Sequence, residues 1–124
     1  MLSKDPEAVL ARLRTLALAL PKAAERLSHG SPGFFIEGGK FFAYFSHNHH
    51  SDGDTAVCVK TTGRDEQDML IEAAPEIYSW PAYIGPSGWI AIDLGGDDID
   101  WKLVDERLRS SWRLVAPKRL APML

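Results

Sequence analysis

Three histidines and two aspartates fall within eight residues, His47-Asn48-His49-His50-Ser51-Asp52-Gly53-Asp54. Imidazole nitrogens and carboxylate oxygens are the donors that zinc or nickel accepts, so this run could bind a divalent metal. No His-x3-His helical spacing and no cysteine partner supports such a site, and a flexible polar loop holds ligands loosely. His47, His49 and His50 therefore remain candidates only, and neither a resident metal nor a cofactor is expected. His29, just ahead of Gly30-Ser31-Pro32, could act as a general base at a sheet edge. No serine, cysteine or carboxylate stands at a recognisable motif spacing from it. Gly30-Ser31-Pro32-Gly33 and Gly38-Gly39-Lys40 are glycine-rich but lack the spacing of a phosphate loop, and the second joins strands rather than opening a helix.

Two further groups could bind rather than react. Trp80, Tyr83 and Trp89 flank prolines and glycines, and rings on a rigid rim could stack on a base or ligand ring. The alternative is that they close the core beneath a loop, which is favoured for Trp89. A ligand pocket near His29, Tyr83 and Trp89 follows from the first reading. The second group is cationic. Arg107, Arg109 and Arg113 suit the C-terminal half of a helix opened by Asp97, Asp98 and Asp100, because the helix dipole favours that arrangement. Asp105 and Arg109, four apart, attract one another; Arg109 and Arg113 repel mildly. Lys118 and Arg119 follow the helix stop at Pro117 and are not explained by it; with Arg113 and Lys40 they could meet phosphates.

The elements that must carry these residues are legible from periodicity. Asp5 is a good N-cap, Pro6 suits the first helical position, and Val9, Leu10, Leu13, Leu16, Ala17 and Leu20 recur at helical spacing until Pro21. Residues 24–27 read as a short edge strand, and Gly30-Ser31-Pro32-Gly33 as a turn. Phe34-Phe35-Ile36 and Lys40–Phe45 read as strands of a hairpin joined by Glu37-Gly38-Gly39. His47–Asp54 is a polar loop and Thr55–Lys60 a further strand. Residues 65–74 read as a helix with Met69, Leu70 and Ala73 inward. Gly85-Pro86-Ser87-Gly88 is a turn, Trp89–Leu94 a strand, and a last helix buries Trp101, Val104, Leu108, Trp112 and Val115 as one stripe. The pattern is α+β: an antiparallel sheet with N-terminal, middle and C-terminal helices packed mainly on one face, in one domain spanning 1–124.

Composition narrows the function. The 124 residues are 45% hydrophobic and 25% charged, globular averages that allow a real core. The net charge of −3 argues against a non-specific nucleic-acid binder with a uniformly basic surface. The charge is segregated, however. Residues 61–105 hold ten acids and two cations, whereas residues 106–124 hold five cations and one acid. Cys58 is the only cysteine, which excludes an internal disulfide framework; in Ala56-Val57-Cys58-Val59 it reads as a packed, inert thiol. No apolar run approaches a membrane span and no signal peptide opens the chain, so a cytoplasmic protein without a membrane partner is expected.

Three blocks carry a resemblance to a known family. They are His29-Gly30-Ser31-Pro32-Gly33-Phe34 with Gly39-Lys40-Phe41-Phe42-Ala43; Pro75 through Trp89, ending Tyr83-Ile84-Gly85-Pro86-Ser87-Gly88-Trp89; and Trp101 through Leu120, with Ser111-Trp112-Arg113-Leu114-Val115-Ala116-Pro117-Lys118-Arg119-Leu120. In this order they resemble the MmcQ/YjbR-like family of small bacterial proteins. The resemblance implies a compact α+β fold similar to that of the frataxin-like CyaY proteins. Family members are often labelled DNA-binding on fold similarity, and the family supplies no established catalytic residues. The implied function is a non-enzymatic binding module with nucleic acid as partner, through Lys40, Tyr83, Arg113, Lys118 and Arg119. The histidine-rich loop and the acidic balance depart from what such a role would lead one to expect.

Overall fold

The computed structural model describes residues 5–47 and 54–124; the stretch with His49 and His50 lies outside them. Helix α1 (Pro6–Leu18) leads into strands β1 (Ala23–Ser28), β2 (Ser31–Ile36), β3 (Phe41–His47) and β4 (Thr55–Lys60). Helix α2 (Arg64–Ala73), the short strand β5 (Tyr78–Ser79), strand β6 (Trp89–Asp93) and helix α3 (Trp101–Val115) complete the order. The strands form one six-stranded antiparallel sheet in the order β1-β2-β3-β4-β6-β5. The expected α+β class is observed.

The period of two along each strand sorts side chains between two faces. Val57 and Val59 of β4 pair with Ile92 and Ile90 of β6, and all four join the core with Phe34, Ile36 and Phe45. Helices α1 and α3 cover this face through Val9, Leu13 and Ala17 and through Val104, Leu108 and Trp112. Trp112 is fully buried, and its indole N–H donates to the Pro21 carbonyl at 2.9 Å, tying α3 to the exit of α1. A bulge between Phe34 and Phe35 puts an extra residue into β3. Two consecutive residues, Phe42 and Ala43, thereby reach the core, while Phe41 turns to the other face.

Three elements depart from expectation. The first turn is tighter: His29 and Gly30 alone make it, both with positive φ, and Ser31, Pro32 and Gly33 already belong to β2. Gly33 is needed there because a Cβ would come within 2.7 Å of the Phe41 ring. Helix α2 buries Gln67, with Leu70, Ile71 and Ala74 packed against the core, and leaves Met69 59% exposed. The polar Gln67 takes the central place because its amide donates to the carbonyls of Gly85 (2.8 Å) and Trp89 (2.7 Å), so that it is buried with its donors satisfied and ties α2 to the loop before β6. In α3, Trp101 and Val115 are half-buried at the ends of the stripe, and Ser111 is fully buried.

Candidate functional site

Antiparallel topology assigns every connection to one of two ends of the sheet. At the end where β1, β3 and β6 begin lie the residues between α1 and β1, the Glu37–Lys40 turn, the β4–α2 junction and the Trp80–Gly88 loop. Helix α3 also finishes there. The Ser111 hydroxyl, fully buried, donates to the Phe42 carbonyl at 2.6 Å and accepts from the Lys60 N–H at 2.9 Å. This end therefore holds Lys22, Lys40, Lys60, Arg64 and Arg113, together with Glu37 and the first acids of α2, and Lys118 and Arg119 follow in the chain beyond α3. The opposite end gathers Asp54, Glu76, Asp93, Asp97, Asp98 and Asp100. Of the acids that follow α2, those up to Asp100 thus lie at the opposite end of the sheet from Arg113, whereas Asp105 pairs with Arg109 on α3; the acids on α2 itself are not set apart in this way.

The charged groups divide further by partner. Arg14 pairs with Glu25 at 2.6 Å, Arg64 with Asp68 at 3.0 Å, Arg107 with Glu66 at 3.3 Å and Arg109 with Asp105 at 3.1 Å. Burial alone would raise the Glu66 carboxyl, but hydrogen bonds from the Thr62 N–H and hydroxyl, with Arg107 alongside, outweigh it and hold the group below the usual carboxylate range. Lys22, Lys40, Arg113, Lys118 and Arg119 are exposed and form no ion pair with any described residue. Exposed cations without local partners are free to meet an external anion without first breaking a bond.

A cleft of about 430 Å³ opens at the same end, lined by Lys60, Thr62, Arg64, Trp80, Ser87 and neighbouring backbone. Its loop is shaped by two close approaches. Trp80 lies against Gly85 so tightly that any side chain at 85 would overlap the indole. Gly88, at φ 96°, caps the short turn Gly85–Ser87 in a conformation that favours glycine. The Lys60 ammonium donates to the Ser87 carbonyl and stands 5.7 Å from the Trp89 ring, and the Arg64 guanidinium lies over Trp80 at 5.1 Å.

The sheet face turned away from the helices carries a row of rings that residue spacing alone did not single out. Phe35 and Phe41 have centroids 5.4 Å apart, Phe41 and Tyr44 5.1 Å, and Tyr44 and Trp89 5.0 Å. Trp89 is 8% exposed and forms a small second cluster with Cys58 and Ala91, flanked by Tyr44, Ala56 and Ile84. The signal was present in β3, whose aromatic residues supply both faces: Phe42 and Phe45 inward, Phe41 and Tyr44 outward. Cys58 is packed beneath this layer, and burial pushes its thiol up to about 12, far from the range of a nucleophilic thiolate.

The sequence candidates separate by position. Lys40, Tyr83 and Arg113 come to one end of the sheet, and Lys118 and Arg119 lie in the tail beyond α3. Tyr83 is 85% exposed and holds φ at 68°, unusual for a residue with a side chain. Trp89 begins β6 at that end, but His29 sits in the β1–β2 turn at the other, 3.3 Å from the Ser28 hydroxyl. The structure therefore does not bring His29, Tyr83 and Trp89 into one pocket. His47 closes β3, also at the far end, with its Nδ1 2.7 Å from the Thr55 hydroxyl. Among the described residues, no group of three or more histidine, cysteine or carboxylate side chains could hold a metal ion.

Comparison with known proteins now adds to this geometry. The YjbR family model matches residues 18–114. The chain belongs to the YjbR family. A crystal structure of the Deinococcus radiodurans protein DR2400, which carries a DUF419 domain, superposes with a TM-score of 0.68 at 19% identity, covering 89% of this chain and 80% of that one. At that identity the likeness shows the fold alone. No curated protein matches the sequence. The matched YjbR segment includes the Glu37–Lys40 turn, the cleft and Arg113, whereas Lys118 and Arg119 lie beyond it. Among the described residues no helix is long and apolar enough to cross a membrane.

Proposed function

We propose that this YjbR-family protein is a non-enzymatic, cytoplasmic nucleic-acid-binding module that engages phosphates with the basic end of its sheet. The observation that carries the reading is a set of exposed cations, Lys40, Arg113, Lys118 and Arg119, none with an ion-pair partner among the described residues, of which Lys40 and Arg113 lie at the same end of the sheet as the exposed Tyr83. The segregation of charge answers the objection raised by a net charge of −3. An acidic far end and a basic near end orient the molecule toward a polyanion rather than repel it. The phosphate term is sequence-independent and salt-dependent, so the reading names a backbone contact and no base preference.

Band-shift titration with mixed DNA and RNA at low salt tests it. Charge reversal by Lys118→Glu with Arg119→Glu is expected to weaken binding at least tenfold, while Asp97→Ala with Asp98→Ala at the far end leaves it unchanged. No shift by the unaltered protein with either nucleic acid at low salt would sink the proposal.

A second reading rests on the cleft beside Trp80. Its two cations and one partly exposed indole suit a small planar anion. A thermal shift with a nucleoside monophosphate, lost in Trp80→Ala, together with no binding of oligonucleotides, would favour it over the first.

A further inference from the structure

From the open face of the sheet, and resting on the nucleic-acid reading above, we infer that the ligand is single-stranded, with unpaired bases stacking along the aromatic row. The α1 and α3 helices both pack on the core face, and among the described residues Ile84 is the hydrophobic loop residue packed against the second cluster. The row Phe35, Phe41, Tyr44, Trp89 crosses the sheet from β2 to β6, each ring in contact with the next. Three of the rings are half-buried, held in place by their neighbours yet reachable from outside. Small residues beneath and beside them, Gly33, Ala56, Cys58 and Ala91, keep the surface low and flat.

Charge complements the rings at both flanks. The Arg26 guanidinium stands 4.8 Å from the Phe35 centroid and 5.0 Å from that of Phe41. At the other flank Lys60 stands over Trp89. Both cations are thus positioned to reach phosphates on either side of a base laid on the rings. Among the strand positions of this face the acid is Asp93, at the far end of β6, where it pairs in register with Ala56 and shares a cleft with Asp54 and Glu76, away from the rings. The row also runs into the basic end, since Trp89 and Lys60 lie at the end of the sheet that holds Lys40. Aromatic platforms of this kind bind bases through their π-faces, which a duplex hides between neighbouring pairs. Open apolar rings flanked by cations, with the acids confined to the far edge, favour a strand of nucleic acid over a neutral protein surface, or over a second copy of a chain with net negative charge.

Fluorescence anisotropy with the full chain at low salt tests this against three labelled probes of equal length: an oligothymidylate strand, a matched duplex and an abasic strand. The abasic strand keeps the phosphates and removes the bases. The strand should bind at least tenfold more tightly than either of the others. Tyr44→Ala should cost the strand about tenfold, within the range known for a lost stack, and leave duplex binding unchanged. Arg26→Gln, at an exposed position, should weaken the strand without touching the fold. Equal affinity for the strand and the abasic probe, or preference for duplex, overturns the inference and leaves phosphate binding standing. No binding of any probe overturns both.

Discussion

Replacing Ser111 with alanine removes one hydroxyl from a site that is closed to solvent, and two backbone groups lose their partner at once. The Phe42 carbonyl, freed by the bulge in β3, and the Lys60 N–H at the end of β4 both bond to that oxygen, at 2.6 and 2.9 Å. A buried backbone group left unpaired costs about 1–3 kcal/mol, and the two costs are not fully additive, so the expected loss is roughly 2–4 kcal/mol. Urea denaturation followed by far-ultraviolet circular dichroism gives the value, with the midpoint falling and the slope unchanged. Ser110→Ala, half-buried and without a side-chain hydrogen bond among the described residues, should stay within about 0.5 kcal/mol. Ser111→Ala should also loosen Lys60, which reaches Ser87 and Trp89 from that point. A loss for Ser111→Ala no larger than that for Ser110→Ala would refute the claim that this hydroxyl bridges α3 to the candidate site.

The Glu25 carboxyl, held below its usual value of 4.5 by the hydrogen bond from Arg14, stabilises the fold fully above about pH 4.5, and the contribution is lost as pH falls through the lowered folded value; Glu25→Gln should flatten the acid limb of a stability–pH curve measured by urea denaturation. Gly85→Ala should drive the Trp80 indole off the loop it covers, which tryptophan emission would report as a shift to longer wavelength, with no such shift for Gly96→Ala, where the space is open. Cys58, with its thiol pushed up to about 12, should resist a thiol reagent in the native protein and react promptly in urea; fast native labelling would contradict its placement beneath Trp89.

Elements whose partners are close in sequence were the most readable. The cap Asp5, the Val9–Leu20 stripe and the Phe45, Val57 and Val59 strand positions follow from local chemistry and periodicity, and the structure places them accordingly. The inward face of α2 was not readable, because Gln67 is buried for the sake of carbonyls at Gly85 and Trp89, eighteen and twenty-two residues away. Ser31-Pro32-Gly33 has the composition of a turn but belongs to β2, where the Phe41 ring on the neighbouring strand occupies the space above Gly33. Two-residue β5, between Pro75 and Pro81, offers too short a pattern to recognise. For the candidate site, Lys40, Arg113, Lys118 and Arg119 are legible in the sequence as cations, but only antiparallel topology brings Lys40 and Arg113 to one end and sets His29 at the other. The outward rings of β3 were overlooked because an aromatic run with residues facing both ways reads as a single hydrophobic strand.

Binding of an oligonucleotide measured across a salt series tests the central claim most directly. If the basic end holds about four phosphates of a single strand, log K should fall against log salt with a slope near −3, on the scale of about −0.7 per contact. Lys40→Ala, Lys118→Ala and Arg119→Ala should each make that slope shallower. An affinity that is insensitive to salt, or a slope that none of these changes alters, would contradict the account.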